Sequence, residues 1–235
     1  MELSHRNYAS LFLNGAAIFI LLGMIANTTI YRKRGRKDDK LFFFMMLADI
    51  AVALCDSVVA LANGRDFTGA KALNLAGYTG IYLAESVVAY LMPLYLIYRY
   101  TRKEELYRRA ACISIIPAGI VFAAYLIGLP FKLFLYVDDD NQYQYGKYYL
   151  IPLSVLLAYM LAGFIIPIVI KVKSGRLKHM HIWLYLLPVA GFAVPYVFKL
   201  AANASVVYAV IFAYLHMSAM NEEFFDDRYG REARL

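Results

Sequence analysis

Apolar segments long enough to cross a membrane recur along almost the whole chain, and this feature leaves few folds open. About twenty consecutive apolar residues are enough for a helix to span the hydrocarbon core of a bilayer. Of the 235 residues, 62% are hydrophobic and only 17% are charged, which a soluble domain of this size would not need. Seven such segments can be marked: Ala9–Tyr31, Leu41–Ala62, Leu75–Tyr98, Ala110–Tyr136, Tyr149–Ile170, Ile182–Ala202 and Ser205–Met220. The sequence therefore predicts an all-α, polytopic bundle of seven transmembrane helices over residues 1–220, followed by a short charged tail over residues 221–235.

The net charge of +7 is distributed unevenly between the loops. The basic clusters RKRGRKDDK, RYTRKEELYRR and KVKSGRLKH follow the first, third and fifth segments, and the intervening loops hold few cations. Because cytoplasmic loops are enriched in Lys and Arg, this pattern predicts a multi-pass membrane protein with its N-terminus outside and its C-terminus inside. The basic residues are interpreted as topology markers that also bind anionic membrane lipids weakly, and not as a surface for nucleic acid.

Motifs for catalysis, metal binding and cofactor binding are absent from the sequence. It contains no glycine-rich phosphate loop, no GxSxG elbow, no HExxH and no CxxC. The two cysteines, Cys55 and Cys112, lie inside apolar segments, where a cysteine ordinarily serves as a small apolar residue. We therefore expect neither an enzyme nor a metal or cofactor site.

Three acids interrupt the second and third apolar segments. Asp49 and Asp56 are seven residues apart, so a helix places both carboxylates on one face, and Glu85 lies in the next segment. An ionised carboxylate at the centre of a membrane helix costs roughly 2.5–3.5 kcal/mol on insertion scales. Such residues face the interior of the bundle or a water-filled cavity. The sequence therefore predicts a polar, ligand-binding cleft that opens outward between these two helices.

Other side chains are expected to contribute to this cleft. Tyr78 and Tyr82 share a helical stripe with Glu85, at i, i+4 and i+7, so their hydroxyls can line the approach to it. Lys199, near the outer end of the sixth segment, is a candidate for neutralising Asp56. Because neutralising a buried carboxylate recovers its desolvation cost, the expected ligand is a small molecule or lipid of cationic or amine-bearing character.

A purely structural role for the acids remains the alternative. A protonated carboxyl group that is hydrogen-bonded to Tyr, Ser or Asn would serve only the packing of the helices. This alternative has most weight for Asp49, which has few polar neighbours in the sequence.

The connection after the fourth segment reads YVDDDNQYQYG. Its alternation of polar and tyrosine residues over Asn141–Tyr145 predicts a short extended segment or hairpin that caps the outer mouth of the bundle. An aromatic belt at the membrane interface is the alternative interpretation of these tyrosines.

Several short motifs resemble the seven-helix N-terminal sensor region that precedes diguanylate cyclase (GGDEF) and histidine kinase domains in Gram-positive bacteria. They are DDKLFFFMML, the acid Asp56 followed by Asn63-Gly64, YLMPLYLIY, and YVDDDNQYQYG. The likeness covers most of residues 11–220 and implies a sensing function in a bacterial cell membrane. The last residues, MNEEFFDDRYGREARL, leave no room for a cyclase or a kinase, so the output is expected to come from a partner or from a part of a longer protein.

The function predicted from these features is a membrane-embedded sensor that passes a conformational change through its last helix. Met217, Met220 and Phe224 form an apolar stripe at i, i+3 and i+7, which fits contact with a cytoplasmic signalling protein or a second copy of the chain. A frayed tail is the alternative for this segment. A small-solute secondary transporter is the alternative function, although the two halves of the sequence show no internal repeat.

Overall fold

The computed structural model describes residues 5–31, 37–173 and 205–217, and these residues are mostly helical. The helices are α1 (His5–Tyr31), α2 (Lys37–Ala62), α3 (Ala70–Thr101), α4 (Glu104–Gly128), α5 (Leu150–Lys173) and α6 (Ser205–Met217). Two short strands, β1 (Leu135–Val137) and β2 (Tyr143–Tyr145), lie between α4 and α5. The helical fold is thus confirmed over the described residues, and the pair of strands adds to it.

Four of the described helices, α1 to α4, are long and apolar enough to cross a membrane. Each of the first five predicted segments coincides with a helix over most of its length. Of the seventh predicted segment, Ser205–Met217 is described and is helical. The sixth predicted segment, Ile182–Ala202, lies outside the described residues. Membrane-length helices are therefore confirmed for this chain.

The predicted end of the fourth segment is wrong. Helix α4 stops at Gly128, whereas the apolar pattern extended the segment to Tyr136. Pro130 follows shortly after the helix and cannot donate the backbone hydrogen bond that a continuing helix needs. The apolar residues beyond it belong to the hairpin instead, where Leu135 and Val137 of β1 are buried.

The hairpin predicted over Asn141–Tyr145 is confirmed, and it includes β1 as its first strand. The strands are antiparallel, with Leu135 opposite Tyr145. In the turn, the Asp138 carboxylate accepts hydrogen bonds from the backbone N–H of Gln142 at 2.8 Å and from the side chain of Gln144 at 2.9 Å. These bonds to the charged form hold the pKa of Asp138 below its usual value.

Helices α2 and α3 pack closely because glycines on α3 face α2. A Cβ atom added to Gly77 would lie 2.6 Å from Cγ2 of Val59, and one added to Gly80 would lie 2.5 Å from Sγ of Cys55. Small residues at a helix interface let the two backbones approach one another. These contacts fix the register of the antiparallel pair and therefore decide which side chains of α2 and α3 lie at the same level.

Five helices form one apolar core, to which α4 contributes no fully buried residue. The two ends of the α2–α3 pair differ in character. One end carries the α2–α3 turn and the hairpin, and we call it the hairpin end. The other carries an ion pair between Asp38 of α2 and Arg99 of α3, and we call it the ion-pair end. The largest fully buried core side chains are Leu21 of α1, Phe42, Met45 and Met46 of α2, Val88 and Leu96 of α3, Met160 of α5, and Tyr208 and Phe212 of α6.

Candidate ligand-binding site

Asp49 lies in the middle of α2 inside the apolar core. Its exposed fraction is 0%, and neither of its carboxylate oxygens has a hydrogen-bond partner among the described residues. Its neighbours on the same face of α2, Met45, Met46 and Val52, are buried apolar side chains. Burying a carboxyl group without a hydrogen bond carries a large free-energy cost. A group that is retained at such a cost is a candidate functional residue.

The register of α2 and α3 brings Glu85 to the level of Asp49. Gly80 faces Cys55 where the two helices touch. Asp49 is six residues from Cys55 and Glu85 is five residues from Gly80, both towards the ion-pair end, so each lies roughly 7–9 Å from that contact. Glu85 is 3% exposed, and its charge is close enough to act on Asp49. The structure therefore brings together two of the three predicted acids.

Tyr208 of α6 completes this group of buried polar side chains. It is fully buried, its hydroxyl has no hydrogen-bond partner within the described part of the chain, and it interacts electrostatically with both acids. We call Asp49, Glu85 and Tyr208 the core acid cluster. Because its members come from α2, α3 and α6, a change in its charge acts on the contact between α6 and the rest of the core.

Tyr208 was not among the site residues predicted from the sequence. A usable signal was present, because Tyr208, Phe212 and His216 recur at i, i+4 and i+8 on one face of the last helix. That face is the buried one, and the ring of His216 stacks on Phe42 with 6.0 Å between ring centroids.

Asp56 belongs to a different cluster, on the side of α2 that contacts α1. It is half-buried, and its Oδ2 atom accepts hydrogen bonds from Ser10 at 2.9 Å and from Asn14 at 2.7 Å. Ser205, the first residue of α6, donates a hydrogen bond to the Asn14 side chain at 2.9 Å. The predicted grouping of Asp56 with Glu85 is therefore not what these contacts favour. Lys199, the predicted partner of Asp56, lies outside the described residues.

The hairpin covers the tyrosine stripe that was predicted to line the approach to Glu85. The ring of Tyr143 stacks on Tyr78, with 4.0 Å between centroids and an interplanar angle of 25°. The hydroxyl groups of Tyr143 and Tyr82 share a hydrogen bond of 2.6 Å. Burial in this contact raises the pKa of Tyr143 well above its usual value. Tyr78 and Tyr82 therefore contact the hairpin through Tyr143, and their place on the approach to Glu85 stays a prediction.

Three asparagines fasten the tip of the hairpin to the α2–α3 turn. The Asn141 side chain donates hydrogen bonds to the backbone carbonyls of Ala62 and Arg65 at 2.7 and 2.8 Å. The Asn74 side chain donates to the Asn63 side chain and to the Asn141 carbonyl, both at 2.9 Å. We call Asn63, Asn74 and Asn141 the asparagine clasp. It supplies side-chain donors to backbone carbonyls at the end of α2 and in the α2–α3 turn.

The residue types in the clasp follow from the backbone geometry. Asn141 has a φ of 56° and Gly64 has a φ of 69°, a left-handed conformation that asparagine tolerates and glycine adopts freely. The Gly64 N–H donates to the Asn141 carbonyl at 2.8 Å. Two of the motifs that carried the family resemblance, Asn63-Gly64 and the hairpin, thus meet at one point of the structure.

A solvent-open cavity of about 630 Å³ lies beside the clasp, between the α2–α3 turn and the hairpin tip. It is lined by charges of both signs, and the ion pair between Lys71 and Asp139 crosses it at 3.0 Å. The other charged side chains that line it are Arg65, Asp66 and Asp140. This volume is within the range of small-molecule sites in proteins.

Of the three predicted output residues, only Met217 is described. It is the last described residue of α6, and its side chain is 57% exposed. Met220 and Phe224 lie outside the described residues.

No protein-family model matches the chain, and a comparison with curated proteins finds no significant relative. Functional inference therefore rests on the geometry of the described residues.

Proposed function

We propose that the chain is a seven-helix bacterial membrane protein, with its N-terminus outside and its C-terminus inside, that senses a small-molecule, lipid or ionic signal. It passes a conformational change through its last helix to a cytoplasmic signalling protein or to a second copy of itself. The single observation that carries this proposal is the Asp49 carboxyl group, buried in the apolar core with no hydrogen-bond partner among the described residues.

The position of the core acid cluster supports a sensing role. Native proteins rarely leave a buried polar atom without a partner, and exceptions mark functional sites or sites completed by something else. A ligand that neutralises the cluster changes the interaction between Tyr208 and the two acids. It therefore changes how α6 packs against the rest of the core. Met217 lies nine residues further along α6, about 13 Å from Tyr208. A shift of this helix therefore reaches the end that carries the exposed methionine.

The features of the hairpin end support its assignment as the side of the protein that faces the signal. The asparagine clasp and the stacked tyrosines hold the hairpin over the helices, and the charged cavity beside it faces solvent. The resemblance to seven-helix sensor regions agrees with this arrangement, because two of its motifs meet in the clasp.

The proposed orientation predicts which end of the bundle an impermeant thiol reagent reaches in intact cells. A cysteine at Asp139 on the hairpin should be labelled, whereas one at Arg109 on α4 should be labelled only after the membrane is opened. Both native side chains are exposed, so burial within the protein would not protect either position from the reagent. A cysteine at Ile120, an exposed apolar position within α4, should stay unlabelled in both conditions because it faces lipid. Labelling of Arg109 and protection of Asp139 in intact cells would invert the orientation.

Sensing and transport are distinguished by one experiment on proteoliposomes. Cys55 and Cys112 are replaced by alanine, and an environment-sensitive fluorophore is attached to a cysteine at Met217. Choline, spermidine or acid is then added on the hairpin side. We expect at least one of these stimuli to change the fluorescence without any net uptake of the cation, and Asp49→Asn to abolish the change.

A fluorophore at Ile120 is the matched control, because α4 lies outside the core, and it should not respond. Uptake that depends on Asp49 would favour the transporter and overturn the sensing proposal. A fluorophore at Met217 that stays silent to every stimulus would overturn it as well.

A further inference from the structure

We propose that the ligand of the core acid cluster is a proton, held between the carboxyl groups of Asp49 and Glu85. This inference deepens the proposed function by naming the ligand of that site, and it rests on that function only for its signalling consequence. One proton from a hydronium ion binds to the pair of carboxylates, which changes from a dianion to a monoanion and leaves one water molecule. No other bond is formed or broken.

The available space favours a proton over an organic cation. Both carboxylate oxygens of Asp49 are fully enclosed, among buried side chains such as Met45, Met46 and Val52. An amine of the size of choline needs a pocket, and the cavity of about 630 Å³ lies at the hairpin end, lined by the α2–α3 turn and the hairpin tip. A proton needs no pocket, so it suits a carboxyl group that is packed on every side.

The chemistry of two adjacent buried acids leads to the same ligand. Two carboxylates that act on one another in an apolar core disfavour the state in which both are ionised, because each charge repels the other and burial removes water from that of Asp49. One shared proton removes this repulsion and converts one oxygen into a hydrogen-bond donor. The Tyr208 hydroxyl, which lacks a partner among the described residues, is available to donate to the oxygen that keeps the charge.

The groups around Asp49 leave Glu85 as the described acid that acts most directly on it. Helices α1 and α5 present apolar side chains to this part of the core, among them Leu21 and Met160. On its own helix α2, Asp56 lies two turns away and is bonded to α1. The described titratable side chains that lie in or against the core on the other helices include Tyr82 and Tyr95 of α3, Tyr107 and Tyr125 of α4, Tyr159 of α5, and Tyr208 and His216 of α6. The charged side chain of Arg99 is paired with Asp38 at the ion-pair end.

Infrared spectroscopy tests the proton directly. In lipid nanodiscs at neutral pH, the wild-type protein should show a carbonyl stretch of a protonated carboxyl group that shifts in D₂O, and Asp49→Asn should remove or shift it. Asp56→Asn is the matched control, because it changes an acid of the same helix that is half-buried and hydrogen-bonded by α1; it should leave the band in place.

The pH dependence of stability gives an independent readout. If the folded protein holds a proton that the unfolded chain releases, the unfolding equilibrium constant rises with pH, by up to about tenfold per pH unit for one proton. We expect this rise in the wild type above about pH 4, the usual pKa of a carboxyl group in an unfolded chain, and a flatter profile in Asp49→Asn and in Glu85→Gln.

The outcomes separate this inference from the proposed function. A wild-type protein without a protonated-carboxyl band, or a band that survives both Asp49→Asn and Glu85→Gln, overturns the shared proton even if the fluorophore at Met217 still responds to choline or spermidine. A band that behaves as expected, together with a silent fluorophore, supports the proton and rejects sensing. If one variant does not fold, the other variant and the pH titration of the band in the wild type still decide whether the acids share a proton.

Discussion

Replacing Asn141 by alanine should release the hairpin from the α2–α3 turn and lower the free energy of unfolding by about 2–4 kcal/mol. The half-buried carbonyl of Arg65 loses its side-chain donor, which costs about 1–3 kcal/mol, and the carbonyl of Ala62 keeps only the N–H of Arg65 at 3.2 Å, so its lost bond costs about 0.5–1.5 kcal/mol. The left-handed backbone at residue 141 adds about 1 kcal/mol, because alanine adopts it less readily than asparagine. Thermal unfolding in nanodiscs and protease cleavage within the hairpin would measure the two effects.

Two further variants separate the causes of this loss. Asn141→Gly removes the same hydrogen bonds but keeps the left-handed backbone without strain, so it should cost less than the alanine variant. Asp140→Ala changes the exposed neighbouring residue in the same turn and should stay within about 0.5 kcal/mol of the wild type. An Asn141→Ala variant as stable and as protease-resistant as Asp140→Ala would show that the clasp does not hold the hairpin.

The helices were predictable from apolar segment length because the pattern needs no tertiary information. The end of α4 was not, because strand β1 continues the apolar pattern of the helix. Leu135 and Val137 are apolar because they are buried in the hairpin. Apolar character alone cannot distinguish the continuation of a helix from a buried strand that follows it. Pro130 was the local signal for the boundary.

The acids of the site were predictable and their grouping was not. Acids are rare in apolar helices, so Asp49, Asp56 and Glu85 stand out without any structure. Asp49 and Asp56 share a face of α2, yet one meets α3 and the other is bonded to α1. Which helix lies against that face changes with depth, because the helices cross at angles that the pattern of a single helix does not encode.

The asparagine clasp shows that contacts between loops also cannot be predicted from the local sequence pattern. Asn63 and Asn141 are ordinary turn residues in the sequence. The bonds between their turns, from the Tyr143 N–H to the Asn63 side chain and from the Gly64 N–H to the Asn141 carbonyl, depend on the hairpin folding back over the α2–α3 turn. The sequence did predict that the hairpin would cap this end of the bundle. It could not predict that Asn74, inside α3, would be the residue that links the two turns, because that link is made only in the folded bundle.

At the ion-pair end, replacing Asp38 by asparagine should destabilise the protein by about 3–5 kcal/mol. Asp38 is 0% exposed at the start of α2, and it accepts hydrogen bonds from Arg99 at 3.3 Å and from Arg102 at 2.8 Å. Removing the charge of one partner from a buried ion pair is strongly destabilising, and such losses are of this size. The loss of stability is larger because Asp38 lies in the first turn of α2, where its charge also interacts favourably with the positive end of the helix dipole. Thermal or denaturant unfolding of the variant would measure it.

The burial of each partner predicts a graded series of variants. Arg102 is 46% exposed, so Arg102→Gln keeps the buried pair of Asp38 and Arg99 and should cost about 1 kcal/mol or less. Glu105→Gln removes an exposed pair with Arg109 on α4, and it should cost at most about 0.5 kcal/mol. The graded order follows because water solvates an exposed charge after its partner is lost, whereas the guanidinium of Arg99 has no such access. If Asp38→Asn were no more destabilising than Glu105→Gln, the free energy that holds the start of α2 against the end of α3 would come from apolar packing and not from this ion pair.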